Sequence, residues 1–357
     1  MKRYLPIILI ALLIANIALA QEDGRLAITP ANVAQIQEIA ALTDFNSWIT
    51  DVEFSPDGSL IGTAVHYGPI ALWDAESFEV VYTWNDPSWV DLEIFMTTLA
   101  FSSDGSQLAL GGLSPAVYIL DIGTSTVVTE LPVDVEYGQI TDIAFSPDGQ
   151  WVAASVVKLS PANEQNASVW LWDTATWTPT ELITFEGQSA GLHLSFSPNN
   201  RYLAYGGTER LSLTEFEPVG GVWHMEAGQA IAVYPTCTPK QFSPTGALLT
   251  ICQRDEGYGL SLWDINETNA PLQQIDAEWA LLAPLAFSPD GALLMVGYTF
   301  WDVTTGEQVA TYDKPNPQNM SAIAFNPAGT LIAYGVAGVS SVGLEDSQDA
   351  YVMGVVE

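Results

Sequence analysis

A five-residue pattern recurs seven times along the chain. It reads FSPDG at Phe54–Gly58, FSSDG at Phe101–Gly105, FSPDG at Phe145–Gly149 and FSPNN at Phe196–Asn200. It returns as FSPTG at Phe242–Gly246, FSPDG at Phe287–Gly291 and FNPAG at Phe325–Gly329. Successive phenylalanines stand 47, 44, 51, 46, 45 and 38 residues apart. A period of this size means a stacked array of one supersecondary unit, because a single unit cannot bury its apolar face alone. The pentapeptide itself is turn chemistry. Proline presets φ, and Asp-Gly or Asn tolerates positive φ in a tight reversal. Alternating apolar sequence precedes each turn, as in Ile140-Thr-Asp-Ile143-Ala-Phe145, and a short apolar run follows it, as in Trp151–Ser155. That is strand–turn–strand.

A second landmark keeps step with the first. Trp73-Asp74 lies 19 residues after Phe54, and Leu120-Asp121 lies 19 after Phe101. Trp172-Asp173, Trp263-Asp264 and Trp301-Asp302 are later copies. Counting from the phenylalanine puts Phe216-Glu217 at this place in the fourth unit and Leu344-Glu345 in the seventh. A polar turn and another β-rich run usually follow, so each unit supplies four short strands. The spacing trims the middle strands of unit six, and it predicts a long loop over Lys158–Ser168 in unit three. The expectation is an all-β fold. Either Gln35–Leu42 or Ala350–Val356 would provide its last outer strand.

With seven in-phase turns and five dipeptides that keep the tryptophan, the chain resembles the WD40-repeat β-propeller family. The likeness implies a seven-bladed β-propeller of four-stranded antiparallel blades over residues 33–357, after a lead-in at 21–32. It further implies a non-enzymatic protein-interaction scaffold, and export points to a secreted bacterial-type branch. The Gly-His pair that the family places before the first strand is absent, and with it the family's buried His-Ser-Trp-Asp network. The second resemblance is to the periplasmic Tol-system propeller, which also uses an FSPDG-like turn. The retained Trp-Asp dipeptides favour the first.

The ends and the composition narrow the setting. Lys2 and Arg3 precede an apolar run over 4–20, and Ala18-Leu19-Ala20 matches a small-x-small cleavage site. This is the pattern of a signal peptide spanning 1–20, cut after Ala20, and it predicts a secreted or periplasmic protein. The run is short for a spanning helix, so no stable membrane insertion is expected after cleavage. Acidic residues outnumber basic ones 42 to 9, for a net charge of −33. Losing Lys2 and Arg3 takes it to −35. Such a field repels phosphate backbones, so no nucleic-acid partner is expected. It selects for a basic or neutral protein partner.

Few residues carry candidate chemistry. Cys237 lies five before Phe242 and Cys252 ten after it. If Phe242 faces Ala247, antiparallel pairing places the cysteines opposite each other, and export favours a disulfide between them. Gly187-Gln-Ser189-Ala-Gly191 matches the hydrolase elbow G-x-S-x-G, but that elbow needs a helix after the serine, and a repeat strand follows here. Neither a metal nor a cofactor is expected from the three histidines, His66, His193 and His224. The aromatics are the leading candidates. Trp48 and Phe95 stand six before their repeat phenylalanines, where the innermost strand begins. Trp84, Trp89 and Trp279 lie in neighbouring loops, and His193 is placed close by. These six form the expected partner-binding rim. A carbohydrate-binding module using the rim tryptophans is the alternative, and a propeller hydrolase or lyase is a third reading.

Overall fold

The computed structural model describes residues 25–356, apart from 44, 46, 85–94, 136–137, 160–164, 186–188, 211–215, 232–235, 256, 267–269, 278–282, 314–319 and 338–348. Seven antiparallel sheets stand around one axis as a seven-bladed β-propeller. The inner strands are Ile49–Phe54, Met96–Phe101, Gly138–Phe145, Ser189–Phe196, Cys237–Phe242, Leu285–Phe287 and Met320–Phe325. Each ends on its repeat phenylalanine, and these rings pack into the layers between blades.

The pentapeptide builds the turn from inside. In blade one, Gly58 N donates to Ser55 O, with Gly58 at φ +75. Ser55 Oγ donates to Asp57 at 2.6 Å and accepts from Leu60 N at 2.9 Å, while Asp57 also accepts from Ser59 N. Asn200 takes the positive φ in the FSPNN copy. The second landmark works likewise. Asp74 accepts from the amides of Glu76 and Ser77, and Asp173 and Asp302 cap their own turns in the same manner. Tryptophan of the pair is a packing residue with a tethered indole. Trp73 Nε1 donates to Thr63 Oγ1 and Trp263 Nε1 to Thr250 Oγ1, both at 3.0 Å.

Register corrects the two outlying copies of the dipeptide. In blade four, Leu203 pairs with Trp223 and Tyr202 with His224. Trp223-His224 therefore occupies the Trp-Asp place, and His224 Nδ1 accepts from Ala227 N as the aspartate would. In blade seven the equivalent residues are Met353 and Gly354, opposite Ile332 and Leu331. Leu344-Glu345 lies outside the described residues. Both hairpins are longer than the count from phenylalanine assumes. Blade three is also longer. Trp151–Leu159 pairs with Gln165–Asp173 along its length, so strand replaces most of the expected loop. Blade six is trimmed as expected, with middle strands Leu293–Val296 and Thr299–Asp302.

The ring is closed from both ends. Ala350–Val356 is the third strand of blade seven, and Gln37–Leu42 pairs with it as the outer strand. Part of the lead-in joins too. Arg25-Leu26 pairs with Val355 and Val356, and Ile28 and Val33 sit in the core between blades six and seven. Closure removes one exposed edge and couples the chain ends.

Cys237 and Cys252 form the expected disulfide. The register argument reaches it by a different route. Phe242 faces Leu248, not Ala247, and a bulge at Lys240 restores the offset so that Cys237 faces Cys252.

Leu42 is fully buried among Ile49, Ala350 and Val352. Changing Leu42 to Ala should cost about 2–5 kcal/mol in urea unfolding, as for a core leucine. Exposed Leu272→Ala should shift stability by no more than about 0.5 kcal/mol. Equal effects would break the two-ended closure.

Candidate functional site

The two faces of the ring differ in kind. One carries the seven pentapeptide turns and the capped turns after the Trp-Asp pairs. The other carries the connections that enter the inner strands and those joining second to third strands.

Inner strands shape the channel through bulges. In blades one, two, three and seven, the strand slips one residue at Thr50, Thr97, Thr141 and Ser321, each four before the repeat phenylalanine. A bulge re-aims the extra residue, and all four line the channel. The channel holds a solvent-open volume of about 510 Å³, with every blade contributing.

Residues beside the bulges tie blade to blade. Asp51 accepts from Leu99 N and Thr98 Oγ1, both at 3.0 Å. Glu53 accepts from Phe101 N at 2.9 Å. Asp142 accepts from Leu194 N at 2.8 Å, and Ser195 Oγ accepts from Phe242 N at 2.9 Å. Burial pushes the Asp51 carboxyl up to about 6 and the Glu53 carboxyl up to about 8, the latter helped by the neighbouring Asp51 charge. Asp51 lines the channel and keeps a partly open face, so water there tempers its shift. Burial draws the Lys240 ammonium down to about 8, against the attraction of Asp142.

The expected rim residues separate. Trp48 and Phe95 stand just before the inner strands of blades one and two, linked through two residues that the sequence reading missed. Ring centroids run from Trp48 to His66 at 4.9 Å, from His66 to Tyr67 at 4.0 Å, and from Tyr67 to Phe95 at 4.5 Å, all edge-to-face. Tyr67 is 57% exposed and is held at φ +55. A non-glycine residue in that region carries backbone strain. The run His66-Tyr67-Gly68 between two apolar strands was the available clue. Trp84 is 8% exposed and packs in the core between blades one and two, so its indole is withdrawn from the rim. Trp89 and Trp279 lie outside the described residues. His193 is on the channel wall, its Nδ1 3.8 Å from Asp142 Oδ2. Ser189 opens a strand with no helix after it, so the elbow geometry fails. No cluster of metal-ligating side chains occurs among the described residues.

Comparison with known proteins agrees with this architecture. A family model described as "WD domain, G-beta repeat" matches residues 130–173. The chain is 21% identical over 277 residues to the WD repeat-containing protein 91 homolog of Dictyostelium discoideum, covering 74% of this chain and 33% of that protein. It is 31% identical over 105 residues to WD repeat-containing protein SL1-17 of Schistosoma mansoni, covering 29% and 32%. Over 129 residues it is 30% identical to the cell division cycle 20.1 cofactor of the APC complex of Arabidopsis thaliana, covering 36% and 25%. These matches span about a third of the first two relatives or less of the third.

A carboxyl whose proton is held more tightly in the folded state stabilises below its ordinary range, and that stability is lost as pH rises through the folded value. For Glu53 the window runs from 4.5 to about 8. Stability should therefore fall between pH 5 and 8.5. Gln at position 53 can still accept from Phe101 N, and Glu53→Gln should flatten that slope, whose ceiling for one proton is about 1.4 kcal/mol per pH unit. Thermal melts across this range check it. Identical slopes for both proteins would remove Glu53 from the account.

Proposed function

We propose that this chain, a seven-bladed propeller that matches a WD-repeat model over residues 130–173, is a WD40-repeat protein acting as a secreted or periplasmic, non-enzymatic protein-interaction scaffold. Partners engage the face where loops enter the inner strands. The observation that carries this reading is the aromatic ladder Trp48–His66–Tyr67–Phe95, with an exposed, strained tyrosine in it. Exposed aromatics in a polar surround are the usual anchors of protein interfaces. Members of this family generally act as scaffolds, and the polar groups of the channel support that role here. Asp142 and Ser195 are engaged in holding the next blade. His193 and Ser195 stand two apart on one strand, about 7 Å by the strand rise, too far for a nucleophile–base pair.

Export rests on the amino-terminal pattern of Lys2-Arg3, an apolar run and Ala18-Leu19-Ala20. The disulfide between Cys237 and Cys252 suits an oxidising compartment. The net charge of −33 favours a basic or neutral partner and an association weakened by salt.

The test is affinity capture by the mature protein from cell envelope and culture fluid, read by mass spectrometry. A Trp48→Ala, Tyr67→Ala, Phe95→Ala variant with an unchanged circular dichroism spectrum is the control. A specific protein should be enriched by the wild type, lost with the variant, and weakened in about 0.5 M salt. No enriched protein, together with rim-dependent binding to a glycan array, would move the site to the carbohydrate reading.

A further inference from the structure

Lys240 stands apart among the residues around the axis. At their bulges, blades one, two, three and seven present the hydroxyls of Thr50, Thr97, Thr141 and Ser321. Blade five presents an ammonium. Two local departures put it there. The turn after Phe242 is one residue tighter, with Ser243 N donating to Ala247 O, where Ser55 N in blade one reaches to Leu60 O. The bulge then falls two residues before the phenylalanine instead of four.

Asp142 attracts this lysine across the channel, but no channel acid pairs with it directly. Asp51 Oδ2 is engaged by Thr98 and Leu99, Glu53 Oε2 by Phe101 N, and Asp142 by Ile143 N on one oxygen and Leu194 N on the other. Among the described residues, no carboxylate lies within ion-pair distance of Lys240 Nζ. A partly buried ammonium with no counter-charge within ion-pair distance is costly, and a ligand that supplies one recovers part of that cost.

The remaining wall adds two features. Thr50 Oγ1 and Ser321 Oγ are buried and meet no hydrogen-bond partner among the described residues. Blade six lacks a bulge and lines its sector with Ala283, Pro284, Leu285 and Ala286. A volume of about 510 Å³ lies in the range of small-molecule sites. The strongly negative chain disfavours a polyanion.

We propose that the central channel binds a small monocarboxylic acid. Its carboxylate pairs with Lys240, and its apolar part lies against the blade-six wall.

The experiment titrates the mature protein with phenylacetate, phenylacetamide and succinate by saturation-transfer NMR and calorimetry. The peptide acetyl-Gly-Gly-Phe, with free or amidated carboxyl end, is run in parallel. Phenylacetate should bind at least about tenfold more tightly than its amide, the scale of a charge-assisted hydrogen bond. It should also outcompete succinate. Lys240→Met should abolish the preference for the acid while melting no lower than wild type, since it removes an uncompensated cation. A readout on the unaltered protein backs this up: phenylacetate should slow reductive methylation of Lys240, followed by peptide mass spectrometry. Equal affinity for acid and amide, or methylation at Lys240 unaffected by phenylacetate, would overturn the proposal. Binding of the free-ended peptide alone would overturn the small-molecule occupant and assign the lysine to a partner's chain end.

Discussion

Seven inner strands must meet around one axis, and each must satisfy its neighbour while doing so. Backbone amides on the inner strand of one blade are taken up by side chains from the blade before. Asp51 and Glu53 reach the amides of Leu99 and Phe101, Asp142 reaches Leu194, and Ser195 reaches Phe242. The pentapeptide turns make a second ring below. Pro56 lies beside Gly105, Pro289 beside Gly329, and Pro327 beside Gly58, so the seventh turn meets the first. Pairing of Gln37–Leu42 with Ala350–Val356 finishes the circle at the outer edge. Each contact is modest. Their strength comes from being repeated in a closed figure, where no blade can leave without opening two interfaces.

This arrangement divides labour between the faces. The turn face is saturated by local hydrogen bonds of serine, aspartate and glycine. It repeats closely from blade to blade and leaves little room for variation. The other face carries no such rule. There the connections differ in length, blade six is trimmed, and blades three and four extend their hairpins to nine-residue strands. Variation on a rigid frame is where recognition is built. The channel joins the two regimes, since its wall is structural while its bulge residues are open to chemistry.

Blade number and strand number were legible because the pentapeptide encodes its turn locally. Ser, Pro, Asp and Gly each act within five residues. The Trp-Asp equivalents in blades four and seven were not legible by counting, because a fixed count from the phenylalanine assumes a fixed hairpin length. Trp223-His224 was visible only to a reader who let that length vary. The bulges leave no mark of their own. Thr50, Thr97 and Thr141 look like ordinary strand residues, and convergence of the strands on the axis decides that they slip. The disulfide was reached through two offsets that cancel, a tighter turn and a bulge at Lys240. Trp84 was grouped with the rim as a loop residue, but it ends the outer strand Val80–Trp84 of blade one. Its pairing with Ile70 turns the indole inward, a matter of face that spacing alone does not settle. Tyr67 and His66 were missed because the aromatic reading followed the strand starts and not the hairpin tips.

The central claim is that the face bearing Tyr67 does the binding and the turn face does not. Site-specific photo-crosslinking in the producing cell tests it directly. Benzoyl-phenylalanine would be placed singly at position 67 and at position 76, an exposed turn on the opposite face of the same blade. The account predicts a discrete crosslinked partner from position 67 and none from position 76. A partner captured from position 76 alone would contradict it.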